Sequence, residues 1–219
     1  MKKVIFLFCL ILLMIFSLAF KSSTINTFPL FGKMIILDIG HGGEDPGSVY
    51  KDEYEKDYNL TFGISLKKEL ESLGATVIMT REGDYDLSSP VAPKRKRSDF
   101  DNRIKLINEN NPDMYLSLHM NYLNDSKYYG TQVFYSDVNS QNKSIADSIQ
   151  KEVNKYFNYN KSIKEIGNDK YMYKNINVRG VLIEYGFISN SRDRNNLKRD
   201  EYRNELSKVI TKGIINYFT

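Results

Sequence analysis

Cysteine is almost absent from this chain, and the single one, Cys9, lies inside an apolar N-terminal run. Phe8 precedes it at the place where a lipoprotein signal has a small residue, which argues against a lipid-modified cysteine. The rest of the chain can therefore form neither a disulfide nor a thiolate metal site. About 190 residues remain, enough for one domain that is stabilised by burial of an apolar core alone.

A large excess of one charge is also absent. Without Lys2 and Lys3, which belong to the N-terminal run, the chain has 29 basic and 27 acidic side chains, a net charge of +2. This balance argues against nucleic acid as a partner. The one basic cluster is "PKRKR" (93–97), which we interpret as a solvated loop rather than a contact site for an anionic wall polymer.

Long apolar runs are absent except at the N-terminus. "MKK" followed by an uninterrupted apolar stretch (4–20) is typical of a secretory signal. The stretch has 17 residues, the lower limit for a membrane-spanning helix, so an uncleaved membrane anchor is an equal alternative. Both predict that the rest of the chain is exported. The Ser, Thr, Pro and Gly content of residues 21–32 predicts a linker, followed by a single domain over 33–219.

Strand and helix patterns alternate along that domain. Short apolar runs predict strands at 33–39, 75–80, 113–121, 131–136, 170–173 and 179–187. Helices are predicted at 55–74, from 98 or 99 to about 110, at 140–157 and at 200–218. Such alternation predicts an α/β fold: a mixed, mostly parallel sheet of about six strands, flanked by helices.

The chain has only two histidines, and each lies at the end of a predicted strand. His41 follows the first strand within "DIGHGG", and His119 lies near the end of the strand 113–121. Open α/β sheets place ligand sites at the carboxyl edge of their strands, where both histidines are expected. Because neutral imidazole is a favoured zinc ligand, the pair suggests a zinc site at this edge.

A catalytic zinc usually has three protein ligands, and without cysteine the third is expected to be a carboxylate. Glu55 begins the helix after the glycine-rich loop, which brings it back over the same edge. Glu53 and Asp57 are close enough in sequence to compete with it. All three could equally be acidic residues that complement a helix N-terminus. Spacing alone does not choose among them.

Glu184 is an acid inside the apolar strand "VLIEYGF", where an ionised group is costly unless it is paired or functional. Arg179, Arg192 or Arg194 could pair with it structurally. Beside a zinc-bound water it would instead act as a general base and then as the proton donor to a leaving amine.

At this point the sequence resembles the zinc-dependent N-acetylmuramoyl-L-alanine amidases of bacterial cell walls. The resemblance rests on four motifs in order: "LDIGHGGEDPG", "EKDYNL", "SLHMN" and "EYGFISN". It implies the fold of the zinc amidases, one zinc ion held by His41, Glu55 and His119, and Glu184 as the catalytic glutamate. "TRE" (80–82) and the Arg103 region also look like recurrent family segments, with no chemical role assigned. A small departure is Ile39, where the family usually has proline.

Among these amidases the chain resembles the sporulation enzymes, which combine an export signal with a catalytic domain and no wall-binding repeats. That resemblance implies removal of stem peptides for muramic δ-lactam formation in the spore cortex, with localisation to the intermembrane space of the forespore. Because no wall-binding repeats are found, a membrane-associated partner protein could supply localisation or activation. The alternatives are a vegetative or partner-activated autolysin, a zinc peptidase, or a non-catalytic wall-binding module. The ligand set also suits other first-row metal ions.

Overall fold

The computed structural model describes residues 28–167 and 170–219. The predicted signal or anchor (1–20) and most of the predicted linker lie outside the described residues. Within the described ranges, no helix is long and apolar enough to cross a membrane. Leu30, near the end of the predicted linker, is fully buried, and its backbone N–H donates to the Leu73 carbonyl at 3.0 Å. This end of the predicted linker therefore packs against the domain.

The chain alternates strands and helices as the sequence predicts. The strands are β1 (Met34–Ile39), β2 (Val49–Tyr50), β3 (Glu53–Tyr54), β4 (Thr76–Met79), β5 (Met114–Asn121), β6 (Gln132–Tyr135), β7 (Lys164–Glu165) and β8 (Gly180–Phe187). The helices are α1 (Glu55–Ser72), α2 (Arg95–Asn110), α3 (Asn142–Phe157), α4 (Tyr171–Lys174), α5 (Ser191–Leu197) and α6 (Asp200–Phe218).

Six of the strands form one sheet in the order β4-β1-β5-β8-β6-β7. β4, β1, β5 and β8 run parallel, whereas β6 is antiparallel to β8. The carboxyl ends of β1, β5 and β8 therefore meet at one edge, with β5 between the other two. β2 and β3 form a separate antiparallel pair just before α1. The α/β class and the six-stranded, mostly parallel sheet are confirmed.

Helices cover both faces of this sheet. Side chains alternate between the faces along each strand, so β1 contributes apolar side chains to a cluster on each face. The larger core contains Leu37 of β1 together with one side of α1, α3 and α6. Its members on α1, Phe62, Leu66 and Leu70, recur every four residues and are fully buried. Ile36 of β1 belongs to a smaller apolar cluster on the opposite face, where the sheet contacts α2 and α4.

One predicted strand is wrong. The sequence predicts a strand at 170–173, but Tyr171–Lys174 form the short helix α4. β8 is already paired with β5 and β6, and the sixth strand is Lys164–Glu165 at the far side of β6. Met172 is instead buried in the apolar cluster that contains Ile36. The pattern of large apolar residues therefore reflects packing onto the sheet rather than pairing within it.

The basic cluster 93–97 is not simply a loop, because α2 begins at Arg95 rather than at 98 or 99. Arg95 forms ion pairs with Glu44 and Asp86. Arg97 pairs with Asp101 one turn along the same helix. Acidic neighbours thus offset much of the positive charge of this cluster.

Candidate active site

Three side chains that could hold a metal meet at the carboxyl edge of the sheet. Glu55 Oε1 lies 3.2 Å from His41 Nε2 and 2.9 Å from His119 Nδ1. One ligand atom from each of the three residues lies within 4.8 Å of the others. Glu55 is buried, and the two histidines are only partly exposed. The structure thus brings together the three residues that the sequence resemblance implies.

His41 reaches this position through a left-handed backbone conformation, with φ of 60°. The surrounding turn leaves little space: a Cβ on Gly47 would lie 2.6 Å from His41 Cδ2, and a Cβ on Gly40 would lie 2.3 Å from the His119 ring. Glycine at both positions therefore allows the two imidazoles to approach each other. Their ring centroids are 4.9 Å apart.

Asp45 orients the His41 ring. Its Oδ2 lies 3.0 Å from His41 Nδ1, so an N–H at Nδ1 can donate to the carboxylate while Nε2 faces Glu55. Burial opposes protonation of His41, but the hydrogen bonds to Asp45 and Glu55 outweigh it and raise the pKa of His41 to about 9. The same hydrogen bond to His41 lowers the pKa of Asp45 well below its usual range. The imidazole thus sits in a strongly negative environment that favours a cation.

Glu55 is held in place by backbone donors. Its Oε2 accepts a hydrogen bond from the Ser48 N–H at 2.8 Å, and its Oε1 accepts one from the Met120 N–H at 3.1 Å. Burial alone would raise the pKa of Glu55, but the hydrogen bonds and charges of the two histidines keep it well below its ordinary value. Glu55 is therefore a carboxylate.

The competing carboxylates do not reach this cluster. Glu53 lies 3.3 Å from Arg194 and 3.0 Å from Lys198, with which it forms ion pairs. Asp57 lines a surface depression together with Lys198. The structure thus separates Glu55 from the two neighbours that sequence spacing does not exclude.

Asn59 links α1 to the sheet. Its amide nitrogen donates to the Gly40 carbonyl at 3.1 Å, and its side-chain oxygen accepts from the Tyr185 hydroxyl at 2.6 Å. Asn59 and Tyr185 are both buried. The turn of α1 that follows Glu55 is thereby tied both to the end of β1 and to β8.

Glu184 lies on the strand next to His119, because the two residues are paired in the register of β5 and β8. Its Oε2 is buried and has no hydrogen-bond partner among the described residues. Burial, together with the negative charge of Glu55, raises the pKa of Glu184 to about 8. This environment is typical of functional acids and bases.

The arginines that might have neutralised Glu184 have other partners. Arg179 donates to the Asp113 carbonyl and to Gln141, and Arg194 donates to the Ile188 carbonyl. Another, Arg192, lies over the Tyr129 ring. The structural ion pair considered from the sequence is therefore not formed.

A cavity of about 130 Å³ opens next to His41 and His119. Phe100 of α2 and Tyr171 and Met172 of α4 line its other side. The short helix that the sequence pattern does not predict is thus part of the wall of the site. A small, largely apolar group could enter here beside His41 and His119.

Comparison with known proteins identifies the family. The sequence profile of the N-acetylmuramoyl-L-alanine amidases (Amidase_3) matches residues 35–216. The chain belongs to this amidase family. The germination-specific N-acetylmuramoyl-L-alanine amidase of Bacillus subtilis (strain 168) is 39% identical over 196 residues, which are 87% of this chain and 82% of that protein. The resemblance seen in the sequence is therefore confirmed, and the protein is an N-acetylmuramoyl-L-alanine amidase.

Solved amidase structures share the fold. The CwlD amidase from Clostridioides difficile, in complex with the GerS lipoprotein, superimposes with a TM-score of 0.79 at 36% identity, covering 85% of this chain and 98% of that one. The catalytic domain of the amidase CwlV from Bacillus (Paenibacillus) polymyxa var. colistinus has a TM-score of 0.72 at 24% identity, covering 85% of this chain and 98% of that one. The second comparison supports the fold alone.

Proposed function

We propose that this amidase hydrolyses the bond between the lactyl group of N-acetylmuramic acid and L-alanine with one zinc ion held by His41, Glu55 and His119. The observation that carries the proposal is the convergence of two imidazole nitrogens and one buried carboxylate oxygen at the sheet edge. Two histidines and one carboxylate are a common ligand set for catalytic zinc. When bound, zinc supplies a water of lowered pKa and polarises the substrate carbonyl.

The chemistry of the donor set fits such an ion. His41, Glu55 and His119 make their polar contacts with one another, with Asp45 and Asn59, and with backbone donors. Asp45 provides the carboxylate that a ligating histidine usually finds on its second nitrogen. The buried carboxylate and the negative environment of His41 both favour a bound cation.

Glu184 is the proposed general base and acid. Its unpartnered oxygen, on the strand next to His119, can accept a proton from the attacking water and return it to the leaving nitrogen of L-alanine. The raised pKa belongs to the site without a bound cation, where Glu184 is mostly protonated at neutral pH. A cation on the three ligands would lower this pKa towards that of an ordinary carboxylate.

The test of this activity is a digest of purified peptidoglycan with the protein and added zinc, followed by mass spectrometry of the released peptides. An amidase frees stems that begin at L-alanine. A zinc peptidase would instead release fragments cut within the stem, and a wall-binding module would release nothing. Fragments cut within the stem, or no release even with extract from sporulating cells, would contradict the proposal. A chelator control followed by zinc addition separates metal-dependent release from contamination.

We further infer a role in the spore cortex, where removal of stem peptides precedes muramic δ-lactam formation. The support is the similarity to the germination-specific amidase of Bacillus subtilis. A strain lacking this gene should make spores whose cortex muropeptides lack muramic δ-lactam and retain stems. Normal δ-lactam content, together with autolysis defects in growing cells, would favour a vegetative autolysin instead.

Export and a membrane-associated activator complete the proposal. The N-terminal run supports a location outside the cytoplasm, which would be the forespore intermembrane space in a sporulating cell. The solved complex of the C. difficile CwlD amidase with a lipoprotein supports a partner of that kind. If the purified protein holds one zinc per chain and cleaves peptidoglycan at full rate alone, there is no need for an activator. A low zinc content that rises with extract from sporulating cells would support one.

A further inference from the structure

Arg81 occupies a buried position between the segments that carry His41 and Glu55. It follows β4, which pairs with β1, and only 1% of the residue is exposed. Its guanidinium donates to four backbone carbonyls: Ile39 at 3.2 Å, Gly40 at 3.0 Å, Lys56 at 2.7 Å and Gly83 at 2.9 Å. All of its hydrogen bonds within the described ranges go to backbone carbonyls rather than to carboxylates. Because these hydrogen bonds all go to main-chain atoms, Arg81 fixes the relative positions of the backbone segments that it contacts.

Three of those carbonyls belong to the two chain segments that hold metal ligands. Ile39 and Gly40 immediately precede His41, and Lys56 directly follows Glu55 in the first turn of α1. One nitrogen, Nη2, contacts both the Gly40 and the Lys56 carbonyl. Arg81 therefore spans the gap between the His41 turn and the start of α1 with a single rigid group.

The glycine-rich turn also packs directly on Arg81. A Cβ on Gly42 would lie 2.3 Å from the Tyr85 carbonyl oxygen and 2.9 Å from Arg81 Cδ and Nε, and Gly42 has φ of +128°. The Tyr85 carbonyl and the positive φ already require glycine here, and Arg81 lies against the same position.

We propose that Arg81 is a positioning residue that sets the separation between His41 and Glu55 and so raises the affinity of the amidase for its metal. This inference rests on the proposed zinc site. The planar guanidinium can bridge two carbonyls at fixed geometry, whereas a lysine ammonium cannot reproduce that fork. Residues that orient metal ligands typically change metal affinity about 10- to 100-fold when they are replaced.

The alternative is that Arg81 only stabilises the fold. Lys56 makes a second connection across the same gap, since its Nζ donates to the Gly43 carbonyl at 2.7 Å and to Asp84 at 2.8 Å. This connection remains in an Arg81 variant, which is therefore expected to fold. The two roles then differ in whether the metal affinity changes.

The experiment compares Arg81→Met, Arg81→Lys and the control Arg203→Met in the full-length protein. Arg203 is also buried and borders the depression that Asp57 lines, but its side chain donates to the Leu197 carbonyl and to Asp200 rather than to a segment that carries a proposed metal ligand. Zinc affinity is measured by competition with a chromogenic chelator. The geometry of the site is measured from the visible absorption of the cobalt(II)-substituted protein, and stability is measured by urea denaturation of the metal-free protein.

We expect Arg81→Met to bind zinc about 10- to 100-fold more weakly than the unchanged protein, with an altered cobalt spectrum. Arg81→Lys should recover only part of that loss, and Arg203→Met should lose stability while its zinc affinity stays that of the unchanged protein. Unchanged zinc affinity and cobalt spectrum in both Arg81 variants would overturn the inference. If Arg81→Met does not fold, Arg81→Lys alone decides in the same way. Failure of the unchanged protein to bind zinc, both alone and with extract from sporulating cells, would instead contradict the proposed function.

Discussion

The replacement Asp38→Asn tests how the buried charges beneath the active site contribute to stability. Asp38 is 1% exposed and faces Arg103, whose Nη1 donates to Asp38 Oδ1 at 2.7 Å. The other carboxylate oxygen accepts from the Ser117 hydroxyl at 2.7 Å. Arg103 also donates to Asp99 Oδ2 at 2.9 Å and to the His41 carbonyl at 2.8 Å. This network therefore contacts the turn that carries His41, one of the proposed metal ligands.

The expected loss of unfolding free energy depends on which partner of Arg103 remains in the variant. Removing one partner of a buried ion pair costs about 3–5 kcal/mol, because the other charge is left buried without compensation. Asp99 still neutralises part of the Arg103 charge, so we expect the lower end, about 3 kcal/mol of unfolding free energy at pH 7. Asparagine has nearly the same volume as aspartate, so packing changes contribute little. The control Asp101→Asn removes an exposed pair with Arg97 and should cost much less than the buried replacement.

The pKa of Asp38 determines how the stability difference between the unchanged protein and Asp38→Asn changes with pH. Burial raises the pKa of Asp38, but the Arg103 charge and the Ser117 hydrogen bond outweigh it, so the pKa lies below the ordinary 3.8. A carboxylate with a depressed pKa contributes stability that is fully present above the unfolded pKa and is lost as the pH falls through the folded one. The difference between the unchanged protein and Asp38→Asn should therefore be constant from neutral pH to about pH 5 and shrink once the pH falls below the ordinary pKa of aspartate.

The assay is urea denaturation of the metal-free protein at neutral, mildly acidic and strongly acidic pH. Unfolding is followed by circular dichroism and tyrosine fluorescence, because the chain has 16 tyrosines and no tryptophan. A loss below about 1 kcal/mol at pH 7, the range of exposed pairs, would refute the reasoning. So would a difference that grows as the pH falls.

Three further predictions concern the groups around the proposed metal ligands. Tyr185→Phe leaves the buried Asn59 oxygen without its donor and should lower the unfolding free energy by about 1–3 kcal/mol, measured by urea denaturation; a neutral effect would contradict the hydrogen bond. Gly47→Ala places a Cβ 2.6 Å from His41 Cδ2 at a positive φ, so it should weaken zinc binding in chelator competition, and an unchanged affinity would argue against the tight turn. Asp45→Asn should lower zinc affinity about 10- to 100-fold through His41; equal affinity would remove Asp45 from this role.

The sheet and the convergence of His41, Glu55 and His119 can be predicted from the sequence because both leave signals in it. Buried parallel strands appear as continuous apolar runs, and His41 and His119 lie at the ends of two of them. Four separated motifs together then distinguish Glu55 from Glu53, which spacing alone does not. In the structure the same distinction has a physical cause, since Glu53 is paired with Arg194 and Lys198.

The remaining features depend on contacts between distant parts of the chain. Residues 170–173 have the composition of a strand, but both sides of β8 are paired with other strands. The contacts of Arg81 are likewise invisible in the sequence, because its partners are backbone carbonyls, which any residue type carries. Its one sequence signal is its place in the recurrent segment "TRE" (80–82). At Ile39, where the family usually has proline, the backbone N–H donates to the Thr80 hydroxyl at 2.9 Å, a bond that proline cannot make.

The most direct test of the proposed active site is to measure the zinc content and activity of three proteins: the unchanged chain, Glu184→Gln and His119→Ala. For the unchanged protein we predict bound zinc and release of stems beginning at L-alanine, both increased by extract from sporulating cells. Glu184→Gln should keep its zinc and lose the release, while His119→Ala should lose both. Full activity of Glu184→Gln, or zinc retained at full occupancy by His119→Ala, would contradict the assignment of these residues to base and metal ligand.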